Sequence, residues 1–507
     1  MYKSRIFIAL LLCMLLNSGI SLAQKQRKIE IVDAGTLEYD ERIGNRAKRL
    51  KDHVVFKHEE AMMYCDSAYF YSETNSVQAF NNVRIEQGDS LGMSGTTMRY
   101  DGNTKMAKVR KKVVLKHYGS YLETDSLNFD RSINMGYYFN GGNIYDGDNH
   151  LFSNRGYYYA DRKDYYAVDE VVLINPQYKI FCDTLRYNTE TGMTYFYGPT
   201  TIVSDSNTIY CENGYYDTRL DLASFSENAS LYSGHQILRG DSLFYDRNLR
   251  MGKAFMHVSV IDTLENVRAY GNYGQYYENP EKAMLTDSVL VVYVNEGDTL
   301  FMHSDTVHID IDSANNKLVR AFRHVQVFRD DVQARCDSLV YNSADSISEM
   351  FGKPVIWSQG NQLSGEKMIL YFENDKAHHA EITGYALIVQ QEDSSYFNQI
   401  QGRRLVAYFR DNDVCRVEIY NDSQTIYFIR DENTQELTGL NKIFCTDMII
   451  YREDKKVERI KFFEKPDGII IPIDQLKEAD AFLKDFKWYE KYRPQSKDDI
   501  FMWIPIE

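Results

Sequence analysis

A repeat of about 30 residues limits what this chain can fold into more than any other feature of it. One motif, small–Asp–Ser/Thr–apolar–x–aromatic, is clearest at Cys65-Asp66-Ser67-Ala68-Tyr69-Phe70, Thr124-Asp125-Ser126-Leu127-Asn128-Phe129 and Cys182-Asp183-Thr184-Leu185-Arg186-Tyr187. It is equally clear at Gly240-Asp241-Ser242-Leu243-Phe244-Tyr245 and Cys336-Asp337-Ser338-Leu339-Val340-Tyr341. Weaker copies start at Ala34, Gly95, Asn154, Cys211, Gly271, Ser304, Gly365, Gly402 and Thr446. Successive starts lie 28 to 33 residues apart up to Gly365, then 37 and 44. Such spacing over about fourteen copies marks a stacked-repeat architecture.

A second half-motif follows each start by about 17 to 21 residues: a small, polar or turn-forming residue, then apolar–x–apolar. Asn82-Val83-Arg84-Ile85, Lys112-Val113-Val114-Leu115, His257-Val258-Ser259-Val260 and His324-Val325-Gln326-Val327 are examples. Polar stretches such as Asp101-Gly102-Asn103-Thr104 separate the halves and read as turns. Each unit is therefore expected to be two strands joined by a short turn, which makes neighbours antiparallel. In Leu127/Phe129 or Val325/Val327 the apolar residues are two apart and share one face. An inside and an outside are written into the alternation. Composition agrees, with 40 Tyr, 26 Phe and only 8 Pro in 507 residues.

The first residues read as an export signal. A basic start at Met1 to Arg5 precedes the apolar run Ile6 to Leu16 and the small residues of Ser21-Leu22-Ala23, so 1–23 is expected to be a signal peptide. Residues 24–465 form the repeat array, irregular after about 365, and 466–507 a helical tail. In that tail Ile473, Leu476, Phe482, Leu483 and Phe486 recur near helical spacing, predicting an amphipathic helix from Asp474 to about Tyr492.

A formal charge of −15 argues against a nucleic-acid partner. Six cysteines follow Cys13 without a CxxC, and four occupy the small position of the repeat or its neighbour. They read as small strand residues with pairing open, and no metal or cofactor is expected. Gly240-Asp241-Ser242-Leu243 and Gly88-Asp89-Ser90-Leu91 spell the GDSL string of an esterase family. The first is a repeat copy whose serine is elsewhere replaced, and no base is evident for a catalytic serine. No enzyme is expected, and the esterase is a remote alternative.

The alternation of small–Asp–x–apolar–x–aromatic with Gly/Asn–Val–x–apolar, over roughly residues 30 to 460, resembles the OstA-like proteins. These include the periplasmic bridge protein of lipopolysaccharide transport and the N-terminal domain of its outer-membrane translocon. The resemblance implies an all-β, elongated antiparallel β-jelly-roll, a trough whose apolar interior holds acyl chains. It implies a periplasmic location, with outer-membrane association left open. Implied partners are lipopolysaccharide or another envelope lipid, and other bridge components joined by end-to-end strand pairing. The candidate lining is Val83, Ile85, Val113, Leu115, Leu127, Phe129, Leu185, Tyr187, Leu243, Tyr245, Val258, Val260, Val325, Val327, Leu339 and Tyr341. The competing reading is a structural or adhesive repeat protein whose inner face is a closed core. The densest basic cluster, Lys105 to Lys116, reads as a lysine-guarded edge strand, with headgroup contact the alternative.

Overall fold

The computed structural model describes residues 28–39, 47–88, 91–295, 298–373, 376–410, 413–431, 433–453 and 456–506. The expected signal peptide lies outside them. Among them are thirty-six β-strands, no α-helix and a few 3-10 turns. The chain forms two units, Met1–Gly192 and Met193–Glu507.

Within each unit, strands of 11 or 12 residues follow one another as an antiparallel meander, as in Ala61–Tyr71, Ser76–Gln87 and Leu91–Asp101. The repeat motif specifies a bend in the middle of each strand. In most alternate strands two consecutive residues take left-handed backbone angles: Asn81 and Asn82 (φ 59° and 48°), Glu227 and Asn228, Met256 and His257, Arg323 and His324. The pairing register slips at those points, between Phe80 and Val83 for example. Such a bulge kinks the sheet.

The motif aspartate, or Glu212 in its place, faces the bulge from the neighbouring strand and holds it. Asn82 Nδ2 donates to Asp66 Oδ2 at 2.9 Å and Asn228 Nδ2 to Glu212 Oε1 at 2.8 Å. The His257 ring lies 3.0 Å from Asp241, and His324 3.0 Å from Asp305. The GDSL string at Gly240 is thus one copy of the bend. The second string's Asp89 and Ser90 lie outside the described residues.

The bend folds each sheet into two facing walls. The small residue before the aspartate lies inside the corner: Cys65, Cys211, Ser304 and Cys336 are at most 4% exposed. At Gly95 a Cβ would meet the Val109 side chain at 2.5 Å. Space therefore selects the residue, and the six cysteines Cys65 to Cys445 are free thiols. Burial pushes the Cys65, Cys211 and Cys336 thiols up to about 12. Under native conditions at pH 8, a maleimide should therefore modify half-buried Cys415 first. Those three should react only after denaturation, a difference that mass spectrometry of labelled peptides reads directly.

At some bends the strand is broken into a separate piece on each wall. Ile347–Phe351 and Val355–Ser358 are one such pair, and Asp413–Tyr420 and Ser423–Arg430 another. The lysine-rich strand Met106–His117 is no edge strand: it pairs on both sides, and Lys111 and Lys112 are its bend residues. Only a bend lets consecutive lysines both face water.

The expected helix from Asp474 to Tyr492 does not form. Residues 473–506 run as an irregular strap with isolated 3-10 turns across the outer face of one wall of their unit. Glutamines on that face supply the hydrogen bonds a helix would otherwise make internally. Gln399 Nε2 donates to Ala481 O while Leu483 N donates to Gln399 Oε1, both at 2.8 Å. Gln362 makes the same double contact with Lys487 O and the Tyr489 N–H. Gln326 reaches Ile500 O and Met502 O, and Gln333 receives Arg493 Nε. Leu483 packs with Leu387, Val389, Ile426, Phe428 and Leu440, and Tyr492 with Val355 and Trp357. The apolar spacing marks burial correctly, but the sheet's glutamines take over the backbone partners.

Candidate lipid groove

Each half-motif places its apolar residues on the inner face, and cross-strand pairing lines them into rows. In the N-terminal unit one row runs Phe56, Met63, Ile85, Met93, Leu115, Leu122, Ile144, Leu151, Leu173, Ile180. Every member is at most 5% exposed. On the facing wall, Leu127, Phe129 and Leu185 are equally buried and Tyr187 nearly so, while Val83 and Val113 fill the corner.

The mouth between these walls is closed by polar contacts. Tyr100, the aromatic residue of its repeat copy, shares a 2.6 Å hydrogen bond with His58 Nδ1 across the gap. It also accepts from Arg131 Nη1 at 2.8 Å, and Arg131 Nε donates to Gln87 at 2.9 Å. Further along, Tyr158 bonds His117, Tyr165 lies 3.5 Å from Ser120 Oγ, and Tyr187 donates to Asp146 at 2.6 Å. The seam shields the apolar rows from water and satisfies each buried hydroxyl.

Burial, and Lys163 nearby, depress the His117 pKa, whereas Asp161 opposes them. A histidine depressed in the folded state binds its proton more readily when unfolded. Its contribution is therefore complete above about pH 6.5 and declines as pH falls below that value. The N-terminal unit should lose stability between pH 7 and 5, and His117→Gln should flatten that slope in denaturant titrations.

In the second unit the corresponding row is Ile202, Ile209, Leu231, Leu238, Val260, Ala269, Val291, Met302, Val327, Ala334. All but Ala334 are partly exposed. Facing it are Tyr216, Ala223, Tyr245, Gly252, Tyr276, Ala283, Ile309, Val319 and Tyr341, again paired strand to strand. The corner below is dry, with Leu243, Val258, Val289, Ala321 and Val325 buried, while Leu339 is half-exposed.

Here two of the motif tyrosines turn to their own hairpins: Tyr216 donates to Asp221 at 2.8 Å and Tyr276 to Glu281 at 3.4 Å. A solvated ion pair, Lys317 to Glu265 at 3.0 Å, links the two rims. Such a pair is worth no more than about 1 kcal/mol. The result is a V-shaped apolar trough with a lightly bridged mouth.

All sixteen residues predicted from sequence thus lie on inner faces, divided between a sealed interior and an open one. The sequence reading missed the tyrosine seam and the row members outside its quoted half-motifs, such as Leu231, Leu238 and Met302. The aromatic closing each motif copy was the available signal for the mouth. Among the described residues no cluster of metal-ligating side chains occurs.

The profile of the OstA-like protein family matches residues 26–183 and 180–300, more than half of the chain. The chain belongs to the OstA-like proteins. No curated protein gives a significant match. Among solved structures, LptH from Pseudomonas aeruginosa is similar at 14% identity over 28% of this chain and 95% of its own, with a TM-score of 0.22. That protein is described as the LptA-homologous periplasmic component of the lipopolysaccharide transport device. The WD40 domain of SCAP from fission yeast matches at 7% identity over 60% of this chain and 86% of its own, with a TM-score of 0.14. Both superpositions are too loose to add to the family assignment.

Proposed function

We propose that this OstA-like chain is a periplasmic carrier in lipopolysaccharide transport to the outer membrane, binding the acyl chains of lipopolysaccharide or a related lipid. In this reading residues 1–23 direct export, 24–465 form the repeat array and 466–507 secure it. The observation that carries the reading is the unbroken apolar row on the open inner face. Exposed CH₂ groups cost about 0.8 kcal/mol each, so a carrier needs apolar cover without gaps. Strand-to-strand pairing from Ile202 to Val327 supplies such cover.

Partner proteins would join at the sheet ends. Among the described residues Glu30–Asp33 and Thr36–Tyr39 pair on one side only, as do Lys456–Phe463 and Asp467–Pro472. Val32, Leu37, Ile469 and Ile470 there are more than half exposed, which suits docking by strand addition.

A net charge of −15 repels an anionic headgroup, so binding would rest on the acyl chains. Native mass spectrometry of the mature chain with lipid A should show complexes that Val260→Asp with Val291→Asp abolishes. Raising salt should strengthen binding by screening the repulsion. Absence of complexes with any multi-acyl lipid would reject the carrier in favour of a structural repeat protein.

A further inference from the structure

We infer that the lipid site of this chain is confined to the open trough between Met193 and Asn342, and that the N-terminal unit is a sealed element that carries no lipid. The inference rests on the carrier reading and adds where the cargo can and cannot lie. The two interiors are built from the same repeat, so their difference comes from particular side chains. In the N-terminal unit the inner row is essentially inaccessible, and a gap beside Ile85, Met93 and Phe129 measures about 10 Å³. That is room for no more than one water molecule, and none for a hydrocarbon chain.

Opening this interior would break the Tyr100–His58 and Tyr187–Asp146 contacts, and with them the Arg131–Gln87 hydrogen bond. It would also wet the row from Phe56 to Ile180. In the second unit, the row from Ile202 to Val327 is already partly exposed, and Tyr216 and Tyr276 of the facing wall are occupied at their own rim. Acyl chains laid there would cover apolar surface without displacing a packed core. The trough spans ten strands, on the order of ~45 Å at the usual strand spacing. That length accommodates a multi-acyl lipid along or across the strands, without requiring the sealed unit.

The test uses the unmodified mature chain and lipid A bearing a diazirine at an acyl-chain end, with adducts mapped by peptide mass spectrometry. Adducts are expected on peptides within 193–342 and none within 47–188. Val291→Glu should reduce the yield at least tenfold, whereas Leu151→Val in the sealed core should leave it unchanged. Comparable adduct yields within 47–188 would overturn the confinement while leaving the carrier reading intact. No adducts anywhere, with lipid A present in excess, would reject the carrier reading and the confinement together.

Discussion

Gln399→Ala is expected to loosen the C-terminal strap and lower the stability of its unit by about 3 kcal/mol. The side chain is fully buried and serves two backbone groups of the strap, accepting from Leu483 N–H and donating to Ala481 O. Each buried group left without a partner costs about 1–3 kcal/mol. The loss would propagate to the cluster of Leu483 with Val389, Ile426, Phe428 and Leu440. Denaturant unfolding should show the lower midpoint, and hydrogen exchange should rise first at residues 481–489. Gln399→Glu tests the double contact: an ionised carboxylate still accepts from Leu483 but cannot donate to Ala481. It should be no better than alanine, because it also buries a charge. A variant as stable as the parent would show that the glutamines do not hold the strap.

The second large effect is expected at Gly156. It is buried beside the Tyr138 ring, and a Cβ there would overlap the ring and its hydroxyl. Gly142 approaches the same ring, leaving 2.6 Å for a Cβ. Tyr138 cannot readily move aside, since it is 2% exposed and its hydroxyl bonds Ser153 Oγ at 2.8 Å. Gly156→Ala should therefore destabilise the N-terminal unit by about 3 kcal/mol, the upper part of the range for overpacking. Adding Tyr138→Leu should recover part of the loss, because the smaller side chain leaves room for the methyl group. A double-mutant cycle with no coupling would contradict this account.

How much of this was legible in advance depends on the range of each interaction. The motif small–Asp–Ser/Thr–apolar–x–aromatic describes one strand crossing one bend, and every position has a local reason. Cys65 is small because the corner is tight, Asp66 is polar because it binds the bulge, and Ala68 and Phe70 face inward by alternation. The meander and the inner face could therefore be read directly from the sequence. The tail could not, because Leu483 and Phe486 have helical spacing whether a helix or a sheet satisfies their backbone. Gln362 and Gln399 lie more than 80 residues from their partners.

The sequence by itself thus determined the repeat, its strand pair and the side of each strand that is apolar, since all three rest on contacts within or between neighbouring units. Tertiary structure alone decided whether that apolar side is a core or a groove. The choice turns on the facing wall, about forty residues away: Tyr100 meets His58, and Tyr158 meets His117, but Tyr216 and Tyr276 bond within their own hairpins. An identical inward alternation is compatible with either outcome. What separates them is whether the tyrosines bond across to the facing wall or within their own hairpins.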